Sequence, residues 1–110
     1  MSGDELEHGL ALIRAGEFFA AHEELEIAWR EAPLGERDFY QGLVHVAVAW
    51  YQALRGRPVA CASQLDKARR RLSAFAPKHR GVDVASVLAQ VESAAGVVAG
   101  GSLDLPPIRI

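Results

Sequence analysis

The sequence contains no asparagine and no threonine, and a single cysteine, Cys61, stands among its 110 residues. One cysteine excludes an intrachain disulfide and gives no reason to expect an oxidising compartment. No apolar run approaches the ~18 residues that a membrane-spanning helix needs. The opening stretch MSGDELEHG is acidic rather than basic. Neither a membrane span nor a signal peptide is therefore expected, and the expected location is the cytoplasm. A cationic excess is missing too. The formal net charge of -2 at pH 7 argues against a nucleic-acid partner and against a membrane surface. There is no P-loop, no dinucleotide fingerprint, no Cys-x-x-Cys and no Gly-x-Ser-x-Gly. What is present is ordinary globular composition, 50% hydrophobic and 24% charged, enough for one domain around one core.

Apolar positions recur at helical spacing almost throughout, and the β-branched residues do not as a rule alternate with polar ones, so the fold class is all-α. Five helices are expected. The first runs from about Asp4, as N-cap, to Ala15, with Leu6, Leu10 and Ile13 inward and Gly16 as its stop. The second runs from about Glu17 to Ala32, with Phe18, Ala21, Leu25, Trp29 and Ala32 on one face. The third, from about Glu36 to Arg55, is apolar over more than half its circumference and is therefore central. Its remaining strip carries Gln41, His45 and Gln52 beside the small residues Gly42 and Ala49. The fourth begins near Pro58 and ends before Pro77, with Cys61 on its apolar stripe. The fifth runs from Asp83, as N-cap, to Val98. Residues 1–101 are read as one helical domain. Residues 102–110, apolar at Leu103, Leu105, Ile108 and Ile110, are read as an extended tail packing on the domain or on a partner.

An internal echo at an offset of 40 pairs Gly16 with Gly56, Leu25 with Leu65 and Ala28 with Ala68. The pattern from Gly16 to Ala28 resembles the second helix of a tetratricopeptide unit. Two such units are too few for an open solenoid, so a compact bundle of two helical hairpins is expected.

The most distinctive string is Ala21 to Trp29. His22 and Glu26 stand at i, i+4 and face the same side of a helix. One reading is a metal site, in which His22 and Glu26 bind a divalent ion and His45 supplies a third ligand. A second is a hydrolase-like site in which Glu26 orients His22 as a proton acceptor. A third is a structural clasp, with a half-buried His22 hydrogen-bonded to Glu26 or Gln41. Arg37, Gln41 and His45 step along the third helix at i, i+4, i+8. Arg37 can clamp an anion or pair with Glu23 or Glu26 across the hairpin. Glu5 and His8 have the spacing of a carboxylate-bridged metal bundle, but only one copy is present. The basic run Lys67, Arg69, Arg70, Arg71 reads as a solvated face paired with Asp66 and the acidic first helix. No cofactor is expected, a divalent metal being the only one these residues leave open.

Three strings carry a family resemblance: G-E-F-F-A-A-H-E-x-L-E-x-A-W from Gly16 to Trp29, R-D-F-Y-Q-G-L-V-H-V-A-V-A-W-Y from Arg37 to Tyr51, and R-G-R-P-x-x-A from Arg55 to Ala62. From about Gly9 to Leu88 the chain resembles a bacterial and archaeal family known as domain of unknown function 309. The resemblance implies a small all-helical domain. It carries His22, Glu23, Glu26, Trp29, Arg37 and Gln41 as the polar signature, and it implies no activity. The functional expectation is a protein-interaction or ligand-binding module. Its polar cluster would lie between the second and third helices, and its partner would be a peptide, a protein or a second copy forming a homodimer.

Overall fold

The repeated Gly16 and Gly56 act at the same point of two hairpins. Each glycine follows a helix, and each has positive φ, 78° and 73°. Gly16 N–H donates to the Ile13 carbonyl and Glu17 N–H to the Leu12 carbonyl; Gly56 donates to Ala53 and Arg57 to Gln52. This paired closure consumes the last orphan carbonyls of each helix and turns the chain back. The 40-residue echo is thus the same turn made twice.

The structure, a computed structural model, describes residues 2–110, with side chains from Glu5 onward. Its helices are α1 (Ser2–Arg14), α2 (Phe18–Glu31), α3 (Arg37–Leu54), α4 (Pro58–Leu72) and α5 (Val84–Ala99), with single 3-10 turns at Leu34–Glu36 and Ser73–Phe75. There is no strand among the described residues. The chain is an all-α bundle in which each helix packs on the next and α3 lies between α2 and α4.

The stripes read from the sequence are the buried ones. Leu6, Leu10 and Ile13 of α1, Leu25 of α2, Leu43 and Val46 of α3, Leu65 and Leu72 of α4, and Val87 and Val91 of α5 share one core. Cys61 is buried among them, and burial raises its thiol pKa, so it behaves as a small hydrophobe. Asp83 caps α5 as its position predicts, its carboxylate accepting from Ser86 N–H at 3.0 Å.

Other boundaries differ from the expectations. The first helix begins at Ser2, which places Asp4 inside the first turn rather than at a cap; its side chain lies outside the described residues. Glu17 is the N-cap of α2 and makes no side-chain cap bond. The fourth segment stops being α-helical at Leu72 and tightens to a 3-10 turn. Ala76 is then extended, ψ 151°, so the segment ends before Pro77 as expected.

Two close approaches set the spacing of the layers. A Cβ on Gly9 would lie 2.7 Å from Leu25, and one on Gly42 would lie 2.5 Å from Leu72 Cγ. Gly42 thus seats α4 directly against the α3 backbone.

Residues 102–110 lie back on the bundle. Trp50 Nε1–H donates to the Pro106 carbonyl at 3.0 Å. The Gln90 amide pairs in both directions with the Arg109 backbone, each bond 2.8 Å. Ile108 is buried.

Candidate functional site

His22 sits at the edge of the apolar face of α2, one turn in from its start. Its Nδ1–H donates to the Phe19 carbonyl at 2.9 Å, since a carbonyl can only accept. In the neutral ring that bond selects the Nδ1–H tautomer. Glu26 Oε1 stands 3.8 Å from Nε2, beyond hydrogen-bond length. The imidazole is 22% exposed and packs against the Phe19 ring at 5.0 Å, which in turn meets Tyr51 at 5.4 Å. Together with Phe18, Val48 and Gln52 these residues line a cleft of about 200 Å³ between α2 and α3. Gln52 Oε1 is buried without a hydrogen bond. Phe19 is 51% exposed at the mouth.

The two other signature residues of the hairpin are spent on its turn. Arg37 Nε–H donates to the Ala32 carbonyl at 3.3 Å and a second guanidinium nitrogen to the Arg30 carbonyl at 3.4 Å. The guanidinium also lies 5.9 Å from the Trp29 ring centroid. A cation at the C-terminal end of α2 satisfies carbonyls the helix cannot and opposes the negative end of its dipole. Arg37 does not pair with Glu23 or Glu26 among the described residues, as one of its two expected roles required; part of its guanidinium serves these carbonyls instead. Glu23 is exposed and makes no ion pair among the described residues.

Gln41 and His45 belong to a different surface. His45 Nδ1–H donates to Gln64 Oε1 of α4 at 2.7 Å. With Asp38, Lys67, Arg70 and Arg71 they line an open groove of about 490 Å³ between α3 and α4. Burial lowers the His45 pKa, and the charges of Lys67 and Arg71 push the same way, against the Gln64 bond. The folded state therefore prefers the neutral ring more than the unfolded chain does. This contribution to stability is whole above the unfolded value of about 6.5 and is lost as pH falls below it. His45→Gln should make the melting temperature less sensitive to pH between about 6.5 and 5. Melts across that range check the sign; a variant as acid-sensitive as the parent contradicts it.

The sequence expectation that His22, Glu26, Gln41 and His45 converge is thus corrected. His22 opposes Val48 to Gln52, whereas Gln41 and His45 face α4. His45, only three residues before Val48, turns toward α4 and Gln64; for Gln41 the reason is axial register. In an antiparallel hairpin, the first turn of α2 meets the last turns of α3. Gln41 lies seven residues from Val48, about 10 Å along the axis. Among the described residues no three His, Cys, Asp or Glu side chains gather as a metal site, so the set His22, Glu26, His45 is not assembled. His8 lies 3.6 Å from Glu24 rather than joining Glu5 at a metal. No serine or cysteine lines the His22 cleft or the His45 groove; the hydroxyl at the cleft is that of Tyr51, which accepts from Arg55. The basic run pairs with Asp66 as expected, through Arg69 and Arg70, but Arg71 reaches Asp38 of α3 at 2.7 Å rather than the acidic first helix.

Sequence reasoning placed Gln52 on the polar strip of the third helix without a partner, and it missed Phe19 and Tyr51. The available signal was the hairpin turn itself. Counting equal distances from the turn near residues 34 and 35 pairs 22 with 48 and 29 with 41.

A second polar cluster lies where the segment after α4 returns to α3. Glu36 accepts from His79 Nε2 at 2.8 Å and from Arg80 Nε at 2.6 Å, and both bonds hold its carboxyl below the usual range. Arg80 takes positive φ, 47°, in the tight turn closed by the reciprocal His79 and Val82 backbone bonds. The ion pair helps offset the cost of that conformation.

No curated protein and no solved structure matches the chain. The family model for domain of unknown function 309 matches residues 6–63. This span holds every residue of the His22 cleft and of the Trp29–Arg37 clamp, and it stops short of the Leu88 limit of the resemblance. That match covers more than half of the chain, from α1 into the start of α4, and the chain belongs to the domain of unknown function 309 family.

Proposed function

We propose that this domain is a protein-interaction module whose α2–α3 cleft receives the lysine side chain of a partner. The observation that carries the reading is a buried, unbonded acceptor, Gln52 Oε1, beside the His22 ring in an aromatic-walled cleft. His22 Nε2 makes no hydrogen bond, Nδ1–H being committed to Phe19. Gln52 Oε1 is buried and unbonded, and the Glu26 carboxylate stands beside His22. The unpaired Gln52 oxygen calls for a donor, and a buried acceptor left unpaired costs about 1–3 kcal/mol until one arrives. The walls are Phe18, Phe19, Val48 and Tyr51, which suit an alkyl stem, and aromatic faces attract an ammonium group. The volume of about 200 Å³ fits one side chain rather than a cofactor. Arg55 lies over the Tyr51 ring and donates to its hydroxyl, which holds the Tyr51 side of the mouth in place.

The test uses Nα-acetyl-lysine methylamide against its norleucine counterpart, followed by NMR of His22 and Tyr51. The lysine compound should shift both residues saturably, and the norleucine compound should bind at least several-fold more weakly. Tyr51→Ala should weaken binding about tenfold while the helical signal persists, a loss at the strong end of a desolvated cation–aromatic contact. Equal binding of the two compounds, or no saturable shift at His22, overturns the proposal.

A further inference from the structure

The groove between α3 and α4 has a chemistry opposite to that of the His22 cleft, and the interaction reading does not use it. Three cations, Lys67, Arg70 and Arg71, line it against one carboxylate, Asp38, in a chain whose formal net charge is -2. Their placement follows from helix geometry. Asp38, Gln41 and His45 stand at i, i+3 and i+7 on α3. Lys67 stands one turn before Arg70 and Arg71 on α4. Gly42 sets the spacing: a Cβ there would lie 3.3 Å from Arg71 Cβ, so Arg71 rises directly beside the α3 backbone.

The donors are not equally committed. Arg70 gives two nitrogens to Asp66 and acts in the groove mainly as background charge. Arg71 gives one nitrogen to Asp38 and keeps the rest of its fork. Lys67 makes no ion pair, and the Gln41 amide makes no hydrogen bond, among the described residues. His45, with Nδ1–H held by Gln64, keeps an acceptor at Nε2. The groove therefore combines two available cationic donors with a neutral donor–acceptor pair.

We propose that this groove binds a small phosphate monoester. Lys67 and Arg71 hold the dianion, while Gln41 and His45 hydrogen-bond a hydroxyl on the carbon skeleton beside it. A planar guanidinium fork and a point-charge ammonium are both suited to phosphate oxygens. No Phe, Tyr or Trp lines the groove, so it lacks the broad aromatic platforms on which successive bases stack. Its cationic lining is also too short to track a nucleic-acid backbone. The volume of about 490 Å³ exceeds what a bare ion fills and suits a molecule of sugar-phosphate size. Asp38 is the built-in competitor, because its carboxylate occupies part of the Arg71 fork that the phosphate would take.

The experiment titrates ribose 5-phosphate and inorganic phosphate into the full chain at low ionic strength, with His45 and Gln41 followed by NMR. Both ligands should saturate at these residues, with ribose 5-phosphate binding several-fold more tightly. Lys67→Gln should weaken both about tenfold, the loss of one charge-assisted hydrogen bond. Asp38→Asn should tighten both, because it frees the Arg71 fork. Gln41→Ala should bring ribose 5-phosphate down toward inorganic phosphate. Melting curves confirm that each variant is folded. Absence of saturable binding, equal affinity for the two ligands, or a Lys67→Gln variant that binds as the parent does would each overturn the proposal. None of these outcomes bears on the lysine cleft, whose residues and probe are separate.

Discussion

Replacing Phe39 with alanine should destabilise the domain by about 3–5 kcal/mol, the range for deleting a buried aromatic ring. Phe39 is fully buried at the start of α3, and its ring joins elements far apart in the chain. It meets Tyr40 at 5.3 Å, Phe75 at 5.6 Å and His79 at 4.7 Å. Phe75 belongs to the 3-10 turn after α4, and His79 to the tight turn before α5. The missing ring would leave those segments facing a cavity that helices fixed by Gly42 cannot close. A loss of that size is a large share of the ~5–15 kcal/mol available to a small domain. It should lower the melting temperature by about 15–25 °C. Phe39→Leu fills much of the space and should cost well under half as much. Thermal melts of the two variants separate cavity formation from a general intolerance of change at this position. Equal losses would mean that the aromatic contacts, not the volume, carry the stability.

That residue also shows what the sequence discloses and what it withholds. Phe39 is inward on a helical wheel, as are Leu6, Ile13, Leu25, Leu65 and Val87, because azimuth about a helix follows from a spacing of 3.6 residues alone. The all-α class and the order of the helices follow from the same arithmetic. The wheel contains no axial coordinate. His22 and Gln41 both face the α2–α3 boundary in projection, yet they stand at different heights, and so the expected cluster dissolves into a cleft and a groove. The roles of Trp29 and Arg37 were hidden for another reason. Backbone carbonyls are invisible in a list of side chains, so an arginine serving the end of a helix looks like an arginine waiting for an anion. The tight turn at Arg80 was obscured because a non-glycine residue there takes a conformation normally left to glycine.

Trp50→Ala should cost a similar amount, about 3–5 kcal/mol, with a second consequence that Phe39→Ala would not have. The Trp50 indole is buried on α3, and its N–H holds the Pro106 carbonyl. Proline has no N–H to offer the bundle, so this carbonyl is the one backbone hydrogen-bonding group at that position. Gln90 of α5 holds the next anchor through both bonds to Arg109, and Ile108 is buried between the two. The tail thus ties α3 to α5 from outside the α4 layer. Loss of the indole removes core volume and frees one end of this strap. Amide exchange at Ile108 to Ile110 should therefore accelerate in Trp50→Ala by more than the global loss of stability accounts for. Trp50→Phe keeps most of the ring volume and removes the donor, and should cost about 1 kcal/mol with the same local loosening. Gln90→Ala should loosen the tail and lower the melting temperature only slightly. If tail amides in Trp50→Phe exchange at the parent rate while Gln90→Ala frees them, the glutamine alone secures the strap and the indole serves only as packing.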